Sequence, residues 1–275
     1  MTSIGHSQQQ AALANFDSIA AHYDHLEAAN PIMQWMRQRV HRAALATFHP
    51  HARILEIGCG TGTDALFFAR RGHHLVATEP SAEMLATARE KISRGGCALH
   101  VDFIQIDAEQ LHSLLESYGK NSFDALLSNF GALNCVADLR RFAEASAQLL
   151  RPGGKMLLNI MPPVCPWEIA YFLLRLNAQE AFRRWRGRTA KGGIAVRLGE
   201  CYVQTYYHSC ASLKEIFSER FEALSQFGLG VLVPPPYLAQ HQRIFKSLCW
   251  WDEKTSDWPL LRNAGDHVVM IFRRK

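Results

Sequence analysis

The chain contains no uninterrupted apolar run near the roughly 20 residues of a bilayer span, so stable membrane insertion by a helix is not expected. No basic segment followed by an apolar stretch opens it, and a cytoplasmic location is the corresponding expectation. Cys-x-x-Cys is missing; seven cysteines at irregular spacing suit reduced thiols better than a disulfide framework. His208 and Cys210 come nearest to a metal pair, but two ligands without a third do not make a zinc site, and no metal is expected. There is no internal repeat, no low-complexity tract and no linker that would separate a second domain. No stripe of basic residues interleaved with aromatics crosses the core region, so nucleic acid is not the expected partner. Net charge of +5 permits an acidic partner without demanding one. Hydrophobic content of 48% supplies an ordinary core, and 20% charged residues exclude a disordered chain.

What is present begins with Ile54-Leu55-Glu56-Ile57-Gly58-Cys59-Gly60-Thr61-Gly62, a short buried strand running into a tight turn, with a helix expected from about Asp64. Without a Cβ, Gly58, Gly60 and Gly62 can take positive φ and let a ligand lie on bare backbone, beside the unpaired N–H groups of the next helix. Glu79 ends a second apolar run, Leu75-Val76-Ala77-Thr78, at about the 20-residue separation at which an acid reaches ribose hydroxyls. Dinucleotide enzymes use Gly-x-Gly-x-x-Gly, so the alternate glycines depart from the NAD pattern. Glu56 departs again: an acid there is ill placed for a pyrophosphate and well placed for an ammonium or sulfonium.

On these residues the chain resembles the class I S-adenosylmethionine-dependent methyltransferases, from about Phe16 to Ile160. Motif I is similar to Glu56 through Gly62, and the ribose acid to Glu79 in Thr78-Glu79-Pro80-Ser81. The adenine-site acid resembles Asp107 in Ile106-Asp107-Ala108, motif IV resembles Phe123 to Phe130, and the following hairpin resembles Leu150 to Lys155. The pattern is that of small-molecule enzymes, including quinone-biosynthesis C-methyltransferases, which share the step at Asn129-Phe130-Gly131. That step lacks the paired prolines of amino-methylating nucleic-acid enzymes. The resemblance implies a cofactor site of Tyr23, Glu56, Gly58, Gly60, Gly62, Glu79, Pro80, Met84, Asp107, Ala108, Asn129 and Phe130, with S-adenosylmethionine as methyl donor and a small molecule as acceptor. Tyr23-Asp24 lies where that family folds a helix over the cofactor; docking on the core is the other reading of Tyr23. Met84 reads equally as core packing, Asp107 as a helix cap and Asn129 as a turn residue.

Strands near 54–57, 74–79, 101–106, 123–128 and 155–161 alternate with helices near 64–71, 82–94, 109–117 and 138–150. This predicts an α/β Rossmann-like three-layer sandwich, and the resemblance implies a seven-stranded, mostly parallel sheet with an antiparallel last strand. One domain is expected: a helical cap over 1–49, the cofactor-binding core over 50–161, and a helical insert plus sheet-completing part over 162–275. After strand five, Trp167, Ala170, Tyr171, Leu174, Ala178, Ala181, Phe182 and Trp185 fall at helical spacing, with Glu168, Arg175, Gln179, Arg183 and Arg186 opposite. One amphipathic helix is predicted there, read as core packing, as a lid on the acceptor site, or as a membrane-surface helix using Arg183 to Arg188. Further on, a strand is expected near 200–208, a helix capped by Ser212, a strand from Phe221 to Val233, a helix from Gln240 to Trp251 and a last strand at 267–272.

Methyl transfer from a sulfonium requires alignment in a dry pocket and not always a base. If a base acts, His22, His208 and His267 are the candidates, because histidine titrates near neutrality. Two other functions fit the same residues: a non-catalytic module that binds the cofactor or its product, and an NAD-linked oxidoreductase.

Overall fold

The structure, a computed structural model, describes residues 17, 20, 24, 25, 29–189, 193–198, 201–237 and 245–275. Seven strands form one sheet: β1 (Arg53–Ile57), β2 (His74–Thr78), β3 (Val101–Ile104), β4 (Phe123–Ser128), β5 (Leu150–Ile160), β8 (Phe221–Leu229) and β9 (His267–Arg274), in the order β3-β2-β1-β4-β5-β9-β8. β1 to β5 are parallel, and β9 runs antiparallel between β5 and β8. This is the predicted Rossmann-like sheet, with the last strand of the chain as the antiparallel one.

Alternation along β1 explains the layers. Ile54 points to one face with Ala65, Phe68, Leu75 and Leu85; Leu55 and Ile57 point to the other with Val76, Leu126, Phe142 and Phe217. Helices α1 (Pro31–Thr47), α2 (Thr63–Ala69) and α3 (Ala82–Arg94) supply the first face, and α4 (Leu114–Tyr118) and α5 (Leu139–Leu149) the second. Three of these five helix starts carry a side-chain cap: Asn30 caps α1 ahead of Pro31, Ser81 caps α3, and Asp138 caps α5. Tyr23, His22 and most of the expected first helix lie outside the described residues.

Register fixes what meets at the carboxyl edge. Ile57 pairs with Thr78 on one side and Ser128 on the other, and Ser128 pairs with Leu158. β1, β2 and β4 end level, so Gly58, Glu79 and Asn129 stand side by side along one rim with Asn159 of the longer β5 next in register, where open α/β sheets bind ligands.

The region after β5 departs from expectation. The predicted single amphipathic helix is three short ones, α6 (Pro166–Leu174), α7 (Ala178–Ala181) and α8 (Arg183–Thr189). The break is a Schellman turn: Asn177 N–H donates to Phe172 O and Leu176 N–H to Leu173 O, with Leu176 at φ 57°. Glycine or asparagine usually takes that left-handed position, at which a leucine costs about 1–2 kcal/mol. The expected faces are also partly inverted. Glu168 is only 2% exposed, whereas Leu174, Phe182 and Trp185 are open to solvent. A hairpin of β6 (Ile194–Leu198) and β7 (Cys201–Thr205) stands where one strand was expected. Helix α9 (Cys210–Phe217) is capped by Ser209 and not Ser212, whose own N–H takes that cap. Helix α10 (Phe245–Thr255) lies toward the later part of the predicted segment; residues 238–244 are outside the described set.

Candidate functional site

The three glycines do different work. Gly58, Gly60 and Gly62 all have positive φ (68°, 53° and 76°). A Cβ on Gly58 would meet Ala132 Cβ at 2.4 Å, and one on Gly62 would meet Ala88 Cβ at 2.9 Å, so these two let the turn and α3 approach. A Cβ on Gly60 would meet nothing within 4 Å among the described residues. Gly60 therefore presents the bare backbone that faces open space.

Two carboxylates are buried near the carboxyl ends of β1 and β2. Glu79 is buried, with Oε2 accepting from Gly60 N–H at 3.0 Å and Oε1 from Ser81 N–H at 3.2 Å. Burial raises its pKa, partly offset by those two N–H groups. Its oxygens keep lone pairs for further donors. Glu56, on β1, is 2% exposed, and its Oε2 is buried without a hydrogen-bond partner among the described residues. Burial, then repulsion from Asp64, pushes its pKa well above the ordinary carboxylate range. A buried acid left unsatisfied at the rim is an acid waiting for a donor.

Behind Glu56 runs a network that the sequence did not announce. Asp64 Oδ1 accepts from Arg37 at 2.5 Å and His41 at 2.6 Å, and its Oδ2 accepts from Asn129 Nδ2 at 2.8 Å. Burial alone would raise Asp64, but Arg37 first and then His41 hold it well below the ordinary range. Asn129 Oδ1 takes Phe130 N–H at 2.9 Å and Asn159 Nδ2 at 2.7 Å. Its side chain thus ties β4, β5 and α2 together. Phe130 sits at φ 48°, with Arg37 4.5 Å over its ring and His267 edge-on at 5.8 Å, a strained aromatic held at the rim. Arg37 and His41 fall four apart on α1, the one signal that could have marked them.

The remaining predicted residues are placed as follows. Asp107 caps the turn Ala108–Ser113, its Oδ1 accepting from Glu109 and Gln110 N–H at 2.9 Å each, and Ala108 is half-buried behind it. Pro80 O accepts from Gln105 at 3.1 Å. Met84 is fully buried in α3, its N–H on Ser81 Oγ. Asp24, beside Tyr23, accepts from Thr61 Oγ1 and pairs with Lys91 Nζ at 2.7 Å, next to the glycine turn. Of the histidines, His267 reaches Phe130, and its Nδ1 lies 3.3 Å from Asp266 Oδ2. His208 donates Nε2–H to Val136 O at 3.0 Å, and burial lowers its pKa, keeping the ring neutral. His22 lies outside the described residues.

Across the rim, Arg184 of α8 is buried. Its Nε and Nη2 donate to Glu168 at 2.9 and 2.7 Å, Nη2 also donates to Asp266 Oδ1 at 2.7 Å, and Nη1 donates to Asp266 O at 2.7 Å. Tyr237 OH donates to Glu168 as well. Cys165, Glu168 and Asp266 converge in metal-like fashion, but the guanidinium already fills the space between the acids. Burial raises the Cys165 thiol to about 12, so it offers no ready thiolate. The cluster pins the insert to the start of β9.

Residues 54–154 match a family model described as a methyltransferase domain. The chain is 26% identical over 169 residues to a ubiquinone/menaquinone biosynthesis C-methyltransferase of Francisella tularensis, a match covering 58% of this chain and 63% of the relative. It is 32% identical over 162 residues to the protein of that name from Methylococcus capsulatus, covering 56% of this chain and 60% of the relative. The chain thus spans about three-fifths of the length of these curated relatives. Among solved structures, the 1,6-didemethyltoxoflavin-N1-methyltransferase of Burkholderia thailandensis, seen with its substrate and S-adenosylhomocysteine, superposes with a TM-score of 0.58. Identity is 16%, with 98% of this chain and 90% of that one covered, and the likeness establishes the fold.

Proposed function

We propose that this chain, whose residues 54–154 form a class I methyltransferase domain, transfers the methyl group of S-adenosylmethionine to a small-molecule acceptor. The observation that carries the reading is Glu56 Oε2, buried near the end of β1 with no partner among the described residues, on the strand that leads into Gly60, whose missing side chain meets none of those residues either. An oxidoreductase cofactor would bring a pyrophosphate to that acid; adenosylmethionine brings an ammonium and a sulfonium, and the charges then match.

The residues fit such a group. Glu56 receives the cationic end, Gly60 gives the backbone approach, Glu79 accepts the ribose hydroxyls, and Asp107 with Ala108 stands where adenine would end. Met84 and Phe130 supply apolar contact. Asn129, engaged by Asp64 and Asn159, positions Phe130 and leaves little of itself to spend on a ligand. Tyr23 lies outside the described residues, and its role over the cofactor rests on the resemblance; its sequence neighbour Asp24 is held beside the glycine turn by Thr61 and Lys91. When bound, adenosylmethionine supplies an electrophilic methyl; the chain's part is to exclude water and hold an acceptor in line with it.

The names of the relatives make a hydroxylated aromatic ring of quinone type the first acceptor class to assay. The test is a titration of the purified chain with adenosylmethionine and, separately, with NAD, followed by measurement of adenosylhomocysteine release with demethylmenaquinol and with cell-extract acceptors. Binding of adenosylmethionine with acceptor-dependent release is expected. Binding without turnover on any acceptor would favour a sensor module, and binding of NAD alone would overturn the reading.

A further inference from the structure

The insert after β5 turns its surface the wrong way round for an isolated domain. Its charged residues Glu168 and Arg184 lie inside, 2% and 5% exposed, matched to Asp266. Its apolar residues lie outside: Leu174 is 86% exposed and Leu176 96%, with Leu173, Phe182 and Trp185 between two-fifths and one-half exposed. They come from one continuous stretch, and the corner that carries the leucines is a left-handed turn held by a Schellman pair. Water gives no reason to place leucine at a position where glycine or asparagine is at ease. An apolar medium does.

The charges beside that corner name the medium. Arg175, Arg186 and Arg188 are all exposed, two of them stacked on aromatic rings: Arg175 at 4.4 Å over Tyr171 and Arg188 at 4.8 Å over Trp185. Glu168 is spent on Arg184, and Glu180 is engaged by Arg183, so among the described residues these two acids are matched to neither Arg175 nor Arg188. Leucines to enter an acyl layer, tryptophan for its boundary and arginines for phosphate headgroups are the elements of an interfacial anchor. We infer that the 173–188 corner docks the protein on an anionic lipid surface without spanning it. The Arg184 cluster holds this anchor rigidly to the start of β9, at the rim that carries Phe130 and His267, so that docking would bring the acceptor side of the site to the membrane. The inference stands on the exposure of the insert and holds whatever the acceptor is.

The test is sedimentation of the full chain with vesicles of phosphatidylcholine, with and without phosphatidylglycerol. The parent chain is expected to partition onto the anionic vesicles and much less onto neutral ones. The triple variant Leu173→Ser, Leu174→Ser, Leu176→Ser keeps every charge and is expected to lose about tenfold or more in partitioning. Leu174→Ser alone should lose part of that, which guards against a folding defect in the triple variant. Arg175→Gln with Arg188→Gln should abolish the preference for phosphatidylglycerol, at about fivefold per charge. Leu99→Glu, an equally exposed leucine just before β3, should change nothing. Equal partitioning of the parent and the serine variant, with thermal melts unchanged, would overturn the inference and leave only general cationic attraction. A parent that self-associates, ignores vesicles and becomes monomeric in the serine variant would overturn it in favour of a second copy covering the corner.

Discussion

Two parts of the same rim handle buried charge in opposite ways. At the ends of β1 and β2, Glu79 is held by backbone N–H groups and Glu56 keeps an oxygen with no partner among the described residues. At the start of β9, Arg184 finds an acceptor for each of its three nitrogens, and Glu168 and Asp266 are matched in return. Burial costs both sets several kcal/mol of solvation. Under the proposed reading, the acid left short at the edge of the parallel sheet serves binding, and the fully matched cluster serves as a fastening. The variants below separate the two.

The largest effect is expected at the fastening. Arg184→Ala leaves Glu168 and Asp266 buried without compensation and should cost about 3–5 kcal/mol of stability in urea unfolding. A loss below about 1 kcal/mol would mean that the cluster does not pin the insert. Glu56→Gln should do the reverse: stability unchanged or raised, because a buried unmatched acid is gone, and adenosylmethionine affinity lowered by about 1.5–3 kcal/mol, the worth of a charged hydrogen bond. Calorimetry and a thermal melt on the same sample decide it. Loss of both stability and affinity would make Glu56 a structural residue.

Next come the glycines. Gly58→Ala drives a methyl group into Ala132 and should destabilise the fold by roughly 1–3 kcal/mol beyond its backbone strain. Gly60→Ala should carry only the strain, about 1–2 kcal/mol, and lose cofactor affinity because its methyl enters the ligand's space. Equal behaviour of the two would erase the distinction drawn from their surroundings. Among the variants that lose stability, the smallest loss is expected at Asp107→Ala, which removes a cap worth about 1 kcal/mol; cofactor affinity should also fall, by about 1–3 kcal/mol if the residue serves adenine. A stability change with unchanged affinity would leave Asp107 a cap alone.

The same contrast explains what the sequence made legible. Strand ends, caps and the glycine turn are local: Gly60 and Glu79 are 19 residues apart, and Ser81 caps the helix that it opens. Periodicity and turn chemistry reach that far, and they placed the sheet and the residues that end its parallel strands. The partners of Arg184 lie 16 and 82 positions away, and Tyr237 meets Glu168 across 69. Helical spacing alone assigned Glu168 to solvent, because nothing in a local pattern shows that an arginine two turns of structure later folds back on it. The break at Leu176 was hidden for a related reason: a leucine carries no turn signal. Arg37 and His41 escaped notice because α1 brings them to Asp64 from before the glycine motif, 27 and 23 positions away.

Proton release on binding tests the central claim about Glu56. Burial and Asp64 raise its pKa in the free protein, while a cation alongside would lower it, so binding should expel a proton at any pH between the two values. Affinity should therefore rise with pH through that window and level off above it. Titrating adenosylmethionine calorimetrically in two buffers of different ionisation enthalpy should show protons leaving the parent protein and none leaving Glu56→Gln. Tight binding with no proton released by the parent, or with the same release from the variant, would contradict the assignment of that carboxylate to the cofactor's charge.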